Sequence, residues 1–380
     1  MEIAKAVYVS VKRSKSLQLV LFLLVLTSIY MFYNVGSGPK ISVLNESYRA
    51  YENVAKDKIV VPAKQESLDL LSVSDSDVNK VERMGVDHPL DVMITFTKAE
   101  HNNNLQVKLR TTVQSLLKFS STKINLYILG DVQSEKIARD ILLEVADSQK
   151  YTVLHLDIDS LLKQVHEIVS EMQKYFTYKP GAYYSDSLFF MSLAIHKVLP
   201  EIHRVIMLDC DLKFNADIKE LFSRFELFTE SNIMGIARDA QPVYRHNFHM
   251  YINKNKGTRV GAPPPDGLTG FNSGVLLLDL DKMRKSDVYN TLLSADSVKR
   301  LTEKYSFKGN LGDQDFYTLI SLEHEELFHV LPCNWNRQLC TYWRDHGYAD
   351  VFDQYFICEG HINIYHGNCN TPIPKLDWES

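Results

Sequence analysis

Two aspartates, Asp209 and Asp211, stand one residue apart directly after a short apolar run. The run, residues 204–208, is aliphatic and partly β-branched, which is typical of a buried strand. Ligands of α/β sheets collect at the C-terminal ends of strands. Two carboxylates there can share a divalent cation, and that cation can neutralise a diphosphate. A plain turn at the end of the strand is the alternative interpretation.

A histidine far downstream, His366, lies in a Tyr-His-Gly-Asn run. Taken alone, a histidine beside glycine is usually an ordinary turn residue. Two carboxylates and an imidazole together form a ligand set that suits Mn²⁺ and accepts other divalent ions such as Mg²⁺. We therefore predict that Asp209, Asp211 and His366 hold a divalent cation.

Two further runs contain residues that could contact a ligand. Residues 270–274 precede an apolar strand candidate, and the small and amide side chains there allow close approach of a ligand, although a β-turn also explains them. Residues 311–316 open a predicted helix. If Asp313 is the N-cap, Gln314 and Asp315 are free to point into a cleft.

Strand and helix patterns that must position these residues alternate from residue 91 onward. The predicted strands are 91–97, 124–129, 151–156, 205–208, 233–237 and 275–280. The predicted helices are 105–117, 134–146, 159–174, 186–198, 285–304 and 314–324. This order predicts an α/β fold with a largely parallel sheet and helices on both faces. The polar segment 239–270 is too long for a simple connection and is interpreted as a functional loop or a locally ordered lid.

The N-terminal region predicts a membrane anchor. Basic residues in 1–16 precede an apolar stretch, 17–33, so the positive-inside rule places 1–16 in the cytosol as a tail and the rest in the lumen. A cleaved signal peptide is the alternative, but the end of the stretch lacks a small-residue cleavage pattern. Residues 34–88 are predicted to be a lumenal stem, with a glycosylation sequon at Asn45, and 89–380 the catalytic domain. A short span favours the endoplasmic reticulum membrane, with the Golgi as alternative.

The chain has five cysteines, four of which cluster in residues 333–369. In an oxidising lumen four clustered cysteines form two disulfides that staple this C-terminal segment. A zinc site is the alternative, although no C-x-x-C pair is present, and the residues alone leave three pairings open. The fifth cysteine, Cys210, lies between the two aspartates and is predicted to remain a thiol.

Composition and missing motifs exclude several classes of function. The net charge of −5 argues against nonspecific nucleic-acid binding. No G-x-G-x-x-G follows the first strand, which disfavours a dehydrogenase, and residues 309–312 do not resemble a Walker loop.

The motifs, in this order, resemble those of glycosyltransferase family 8. The resemblance rests on the strand with Asp-Cys-Asp, on 271–275, on 312–315 and on His366-Gly367, and it covers about residues 90–372. Within the family the chain is most similar to the xyloside α1,3-xylosyltransferases of the endoplasmic reticulum. Residues 95–99, residues 183–186 and the four clustered cysteines support that similarity.

The resemblance implies a GT-A fold, with a Rossmann-like, mixed but mostly parallel sheet. It implies Mn²⁺, UDP-xylose as donor, and retention of anomeric configuration. The implied acceptor is a xylose-glucose disaccharide O-linked to EGF-like repeats, as on Notch, extended in α1,3 linkage. It also implies the disulfides Cys333–Cys358 and Cys340–Cys369. A homodimer is compatible with the sequence.

The resemblance also suggests roles for individual residues. Gln314 would lie near the anomeric carbon in a front-face mechanism, and Asp315 is a conceivable nucleophile instead. The predicted donor-binding residues are Thr95, Phe96, Thr97, Cys210, Asn272, Ser273, Gly274, Gln314 and Asn368. The predicted acceptor-binding residues are Arg245, His246, Asn247, Trp335, Tyr342 and Trp343. The three aromatic residues among them could stack on a sugar or, in the alternative interpretation, belong to the hydrophobic core.

One departure from the family concerns the diphosphate. Many members carry Lys-Pro-Trp shortly after the histidine, whereas Lys375 and Trp378 are displaced here. The diphosphate would then rely on the metal and on backbone donors, and Lys375 is left out of the site.

Three other functions compete with this interpretation. A family 8 enzyme with another donor or acceptor, such as a glucoside xylosyltransferase or a glucosyltransferase, is one. A haloacid-dehalogenase-type phosphatase also places D-x-D after a strand, but Lys213 stands where that class has Thr or Val. A catalytically silent lumenal sugar-binding protein is the third, and it would not need the three predicted metal ligands together.

Overall fold

The computed structural model describes residues 88–379 except Pro180 and Ala182. The predicted cytosolic tail, the anchor, the sequon at Asn45 and the stem up to residue 87 lie outside the described residues. Within the described part of the chain, no helix is long and apolar enough to span a membrane.

A central sheet of seven strands carries the fold. Its strands are β1 (Leu90–Thr95), β2 (Ile124–Gly130), β3 (Tyr151–Asp157), β4 (Arg204–Leu208), β6 (Met234–Arg238), β7 (Phe271–Asp279) and β8 (Phe328–Leu331). They are arranged in the order β3-β2-β1-β4-β7-β6-β8. All pairings are parallel except those of β7, which runs antiparallel to both of its neighbours. The sheet is therefore mixed but mostly parallel, as predicted for a GT-A fold.

Helices cover both faces of this sheet. They are α1 (Asn103–Phe119), α2 (Val132–Val145), α3 (Ile158–Gln164), α4 (His166–Phe176), α5 (Met191–Val198), α6 (Ile218–Phe222), α7 (Val243–Asn247), α8 (His249–Lys254), α9 (Leu280–Lys285), α10 (Asp287–Leu292), α11 (Ala295–Lys304), α12 (Asp313–Ser321) and α13 (Ala349–Phe356). Alternate residues of β1 point to opposite faces. Val92 and Ile94 share a core with α1 and α2, whereas Met93 shares one with α4, α5 and α12.

A second, three-stranded sheet brings the C-terminal part of the chain back to the middle. It consists of β5 (Leu212–Phe214), β9 (Arg337–Gln338) and β10 (Ile364–His366), in the order β5-β10-β9. Strand β10 runs antiparallel to β5 and parallel to β9. Because β5 follows β4 directly, this sheet continues from the end of the central one.

Several predicted helices are broken where a local cap or turn interrupts the periodic pattern. The predicted helix 159–174 is two helices that meet at Val165, whose backbone leaves the helical region. The predicted helix 285–304 starts earlier and is divided by Ser286 and Ser294, whose side chains cap α10 and α11. Such side-chain caps satisfy the free amides of a new helix more easily than they continue an old one.

The segment 239–270 is locally ordered rather than an open loop. It contains α7 and α8, and Tyr244 and Phe248 are fully buried in the core. Strand β7 also begins earlier than predicted, at Phe271, so that Asn272, Ser273 and Gly274 lie within the strand and not before it.

Candidate active site

The two aspartates occupy the turn between β4 and β5, and the histidine reaches them from the other sheet. The backbone N–H of Asp209 donates to Gly274 O at 2.9 Å, which places the turn beside β7. Antiparallel pairing of β10 with β5 puts His366 opposite Leu212. His366 Nε2 then lies 3.3 Å from Asp211 Oδ1 and 3.5 Å from Asp209 Oδ2.

Helix α1 holds this turn in place. The hydroxyl oxygen of Thr112 lies 2.8 Å from the carbonyl oxygen of Cys210 and 2.9 Å from that of Leu212, and its one hydrogen is donated to this pair of acceptors. It also accepts from Leu212 N at 3.0 Å. One helical turn earlier, Lys108 Nζ lies 3.2 Å from Asp211 Oδ2. The shape of the acidic turn is thus fixed by side chains from α1, before any ligand binds.

The ionisation of His366 and of Asp211 depends on their charged neighbours. Burial alone would lower the pKa of His366, but the carboxylates of Asp211 and Asp209 raise it to about 9. Burial would likewise raise the pKa of Asp211, but the imidazole and Lys108 hold it well below its usual range. The site is therefore built to neutralise two carboxylates with neighbouring cationic groups.

The same residues fit a divalent metal ion. One ligand atom from each of Asp209, Asp211 and His366 lies within 4.8 Å of the others. Oxygen and imidazole ligands of this kind suit Mn²⁺ and related ions. A Cβ at position 274 would lie 2.3 Å from His366 Cε1 and 3.1 Å from Asp209 Oδ2. The glycine keeps this space free, so the chain leaves room between the ligand atoms and β7.

Gln314 lies in the first turn of α12 and is connected to β7. Its Oε1 accepts from Asn272 Nδ2 at 3.3 Å, and its Nε2 donates to the hydroxyl of Tyr244 at 3.2 Å. Asn272 Oδ1 accepts from Gly274 N at 3.2 Å. The structure therefore brings together Gln314, Asn272 and Gly274, which were predicted to bind the donor.

Asp315 does not point into a cleft, contrary to the prediction. Its side chain is fully buried, with Oδ1 accepting from Tyr244 Oη at 2.9 Å. Its Oδ2 accepts from the backbone N–H groups of Asn310 and Leu311, both at 2.6 Å. Burial raises the pKa of Asp315 to about 6. Both oxygens are used to hold the chain, which is incompatible with a role as nucleophile.

Asp313 is the first residue of α12 and not its N-cap, which is Gly312. Its carboxylate accepts from Ser273 Oγ at 2.9 Å and from the hydroxyl of Ser192. Burial raises the pKa of Asp313 to about 7. Ser273, a predicted donor residue, is thereby tied to α12 by a side-chain hydrogen bond.

The three predicted donor-binding residues at the end of β1 differ in their exposure. Thr95 and Thr97 are partly exposed, but the ring of Phe96 is fully buried in the core. Phe96 can therefore contribute only its backbone to a ligand site. Thr97 Oγ1 donates to Asp131 Oδ2 at 2.8 Å, which fixes this run to the start of α2.

The remaining predicted donor residues are Cys210 and Asn368. Cys210 is the free cysteine of the described chain, and burial together with the adjacent aspartates raises the pKa of its thiol. Asn368 Oδ1 accepts from Leu339 N and Cys340 N, both at 2.9 Å. The side-chain oxygen of Asn368 therefore holds the protein chain.

The disulfides are those that the resemblance implies, Cys333–Cys358 and Cys340–Cys369. The second follows His366 by three residues and joins the segment after β10 to the segment after β9. It therefore fixes the strand that carries the third ligand.

The predicted acceptor residues separate into a cluster and a core residue. The ring of His246 lies 4.7 Å from that of Trp343, and Tyr342 packs edge-on against Trp343. Trp335, by contrast, is only 1% exposed. It is part of the core, so its prediction as a stacking platform is wrong.

Three residues of the site were not predicted: Lys108, Tyr244 and Asn336. Asn336 Oδ1 lies 2.9 Å from His366 Nδ1, and its Nδ2 donates to Asn272 Oδ1 at 2.9 Å. None of them belongs to a local motif, because each meets its partner only through the tertiary fold. The one signal in the sequence was the position of Lys108 on a helix that follows the first strand.

Comparison with known proteins adds an independent line of observation. The model of a family described as glycosyl transferase family 8 matches residues 97–366. Xyloside xylosyltransferase 1 of Mus musculus is 51% identical over 301 residues, which are 77% of this chain and 77% of that protein. The Homo sapiens protein of the same name is 51% identical over 297 residues, 76% of each chain. The crystal structure of the mouse protein in its apo form superposes with a TM-score of 0.73, covering 76% of this chain and 100% of that one.

Proposed function

Since the chain belongs to glycosyl transferase family 8, we propose that it transfers xylose from UDP-xylose to the xylose of a glycosylated acceptor. The observation that carries this proposal is the convergence of Asp209, Asp211 and His366, which Asn336 and Asn272 connect to Gln314. The names of the two relatives that are 51% identical support xylose as the transferred sugar. We extend the proposal to α1,3 linkage, retention of configuration and an acceptor of the EGF-repeat type.

We further propose that the bound cation is Mn²⁺. When bound, a divalent cation supplies a Lewis acid that offsets charge on the UDP leaving group. The contribution of the chain is to hold that ion with Asp209, Asp211 and His366. The buried side chain of His366 and the fixed turn around Asp211 make the ligand set pre-organised.

The residues around Gln314 favour front-face attack. A double displacement needs a carboxylate within reach of the anomeric carbon. Asp315, the conceivable nucleophile, is buried and fully hydrogen-bonded. Gln314 presents an amide instead, which can orient the sugar but cannot form a stable ester with it. The proton of the acceptor hydroxyl would then pass to a phosphate oxygen of the donor.

The competing functions differ in their predicted chemistry. Membership of family 8 argues against the phosphatase. A family 8 enzyme with another donor remains a competitor because pocket contacts to one hydroxymethyl group discriminate by only about 1–3 kcal/mol. A silent sugar-binding protein would retain acceptor binding without turnover.

A transfer screen tests the proposed function. UDP-xylose and UDP-glucose are each offered to the purified full-length chain with EGF repeats that carry glucose alone or xylose-glucose. We expect transfer of xylose to the xylose-glucose repeat, abolished by chelation and restored by Mn²⁺. Preference for UDP-glucose would overturn the choice of donor. Binding of the repeat without transfer of any sugar would favour the silent protein.

We also propose that the chain is a single-pass type II protein of the endoplasmic reticulum membrane, glycosylated on Asn45. The two disulfides support an oxidising compartment. Resistance of the protein to carbonate extraction, with sensitivity of its glycan to endoglycosidase H, is the expected result. Release into the soluble fraction would contradict the anchor.

A further inference from the structure

A continuous series of buried side-chain hydrogen bonds connects His366 with Gln314. From the histidine it passes through Asn336 and Asn272 to the glutamine, and it continues to Tyr244 and Asp315. The successive distances are 2.9 Å for His366–Asn336, 2.9 Å for Asn336–Asn272, 3.3 Å for Asn272–Gln314, 3.2 Å for Gln314–Tyr244 and 2.9 Å for Tyr244–Asp315.

The direction of every bond in the series follows from neighbouring groups that can only donate or only accept a hydrogen. Backbone N–H groups can only donate. The ionised carboxylate of Asp315 can only accept, so it accepts from the backbone N–H groups of Asn310 and Leu311 and from the hydroxyl of Tyr244. Tyr244 therefore accepts from the amide nitrogen of Gln314, whose oxygen faces Asn272.

A backbone amide beside Asn272 independently gives the same orientation for its side chain. Gly274 N–H donates to the side chain of Asn272, so the atom that faces it is the oxygen. The amide nitrogen of Asn272 is thus directed at Gln314, as the side-chain oxygen of Gln314 requires. Since Asn272 presents its oxygen to Asn336, Asn336 must present its nitrogen in return.

This direction decides the tautomer of the neutral histidine. With the nitrogen of Asn336 committed to Asn272, its oxygen faces His366 Nδ1, which must carry the hydrogen. The other ring nitrogen, Nε2, is the one near Asp209 and Asp211. In the neutral imidazole, Nε2 then has its lone pair available for a metal. Partners that hold the far nitrogen of a ligating histidine fix both its tautomer and its ring orientation.

We propose that Asn336 is a positioning residue shared by the metal site and by Gln314. Its amide oxygen holds His366 in the tautomer that binds a metal through Nε2. Its amide nitrogen orients Asn272, which in turn orients the amide of Gln314. Asn336 is 1% exposed and contacts both sides at once, so no water is needed to link them. The role for Gln314 in turnover rests on the proposed function, whereas the role for His366 does not.

Three variants of the full-length chain separate the two halves of this proposal. Asn336→Leu removes both polar atoms. Asn336→Asp keeps an oxygen for His366 but removes the donor to Asn272. The matched control is Asn232→Leu. Asn232 is also buried, and its side chain accepts from Thr229 N and donates to Glu326 O. These partners lie outside the hydrogen-bond series between His366 and Asp315.

Mn²⁺ titration of the free protein, followed by electron paramagnetic resonance without any nucleotide, tests the first half. We expect Asn336→Leu to weaken Mn²⁺ affinity roughly 10- to 100-fold. Asn336→Asp should bind as tightly as wild type or more tightly, and Asn232→Leu should be unchanged. Unaltered affinity in Asn336→Leu, or equal losses in both asparagine-to-leucine variants, would overturn this half. If Asn336→Leu does not fold, Asn336→Ser replaces it.

A double-mutant cycle in urea unfolding tests the second half without turnover. Asn336→Asp and Gln314→Ala should together shift the unfolding midpoint by less than the sum of their single shifts, because they remove the same connection. Additive shifts would overturn it. Transfer of xylose is measured in parallel: an inactive wild-type chain would remove the proposed function, while the metal titration and the unfolding cycle would still decide the role of Asn336.

Discussion

Gln314 and Asp315 are neighbours in α12 but have different hydrogen-bond partners, and this difference separates their roles. The side-chain amide of Gln314 is hydrogen-bonded to two side chains of the site, Asn272 and Tyr244. Asp315, one residue on, is held by two backbone amides from the preceding loop. A side chain that bonds to backbone maintains the fold, whereas one that bonds to other polar side chains can be directed at a ligand. Gln314 is therefore the better candidate for catalysis.

Replacement of Gln314 by alanine should impair turnover without preventing nucleotide binding. We expect kcat to fall by about 10²- to 10³-fold, the usual cost of one well-placed polar group in an active site. The dissociation constant for UDP, measured by calorimetry with Mn²⁺ present, should change little. A variant with wild-type kcat would remove Gln314 from the mechanism.

The predicted residues that the structure brings together are those whose position follows from the end of an element. Asp209 and Asp211 follow a strand, and Gln314 opens a helix. Asn336 and Tyr244 were not found because their partners lie 30 to 71 residues away in the chain. The burial of the Phe96 and Trp335 rings was not predicted, because the chemistry of a residue alone does not reveal which aromatic side chains face the core.

At the scale of elements, the loop after β1 depends on the N-terminus of α2. Asp131 is the N-cap of α2, with Oδ1 accepting from Ser134 N at 2.9 Å. Its Oδ2 accepts from Thr97 Oγ1 and from Lys98 N at 2.8 and 2.7 Å. One carboxylate thus joins a helix cap to the predicted donor-binding residues 95–97.

Removal of this carboxylate should destabilise the protein in a way that depends on pH. Partial burial would raise the pKa of Asp131, but its hydrogen bonds hold that pKa well below the usual 3.8. Its contribution to the free energy of unfolding is therefore complete above about pH 4 and is lost as the pH falls further. We expect Asp131→Ala to cost roughly 1–2 kcal/mol at pH 7.

Urea unfolding of wild type and Asp131→Ala at pH 7 and near pH 3 measures this difference. The difference between the two proteins should shrink in acid. A cost that is the same at both pH values would show that packing, and not the ionised carboxylate, accounts for the effect.

The two disulfides offer a matched comparison of elements. They span similar separations, 25 residues for Cys333–Cys358 and 29 for Cys340–Cys369. Loss of either should reduce stability to a similar extent, by roughly 2–4 kcal/mol. Only the second holds the segment that directly follows His366.

Serine replacement of each pair should therefore separate stability from metal binding. We expect the Cys340→Ser, Cys369→Ser protein to bind Mn²⁺ more weakly, and the Cys333→Ser, Cys358→Ser protein to bind it normally. Calorimetric titration with Mn²⁺ measures both. Equal affinities would mean that pairing of β10 with β5 is sufficient to hold the histidine.

The second sheet also explains why its elements escaped sequence-based prediction. Strands β5, β9 and β10 have only two or three residues each. A run so short shows no period of two, so neither alternation nor propensity can identify it. The long strands of the central sheet and helix α1, by contrast, were predicted to within a few residues.

At the scale of the whole molecule, residues 371–379 lie against α1 and β5. Lys213 on β5 is 5% exposed, and its Nζ contacts Pro374 O at 3.0 Å and Glu379 Oε2 at 2.8 Å. Nearby, the ring of Trp378 packs edge-on against Phe119. A buried ammonium group therefore fastens this segment next to the metal-binding turn.

Replacement of Glu379 by glutamine should leave the ammonium group of Lys213 without a counter-charge. We expect a loss of about 1–2 kcal/mol, less than for a fully buried pair because the Glu379 side chain is 26% exposed. Lys213→Met in the Glu379→Gln background should recover most of that loss, as thermal unfolding would show. No recovery would contradict the view that an unpaired charge is the cause.

The return of β10 to β5 also sets an order of events in the making of the protein. A polypeptide is synthesised from its N-terminus, so the acidic turn exists long before residue 366 has been added. Until then, the carboxylates have Lys108 as their neighbour and no imidazole. The histidine reaches them when β10 pairs with β5, and the disulfide Cys340–Cys369 holds the segment that follows it. The three predicted metal ligands are accordingly assembled only after residue 366 has been synthesised and β10 has paired with β5, so the site is completed late in the folding of the chain.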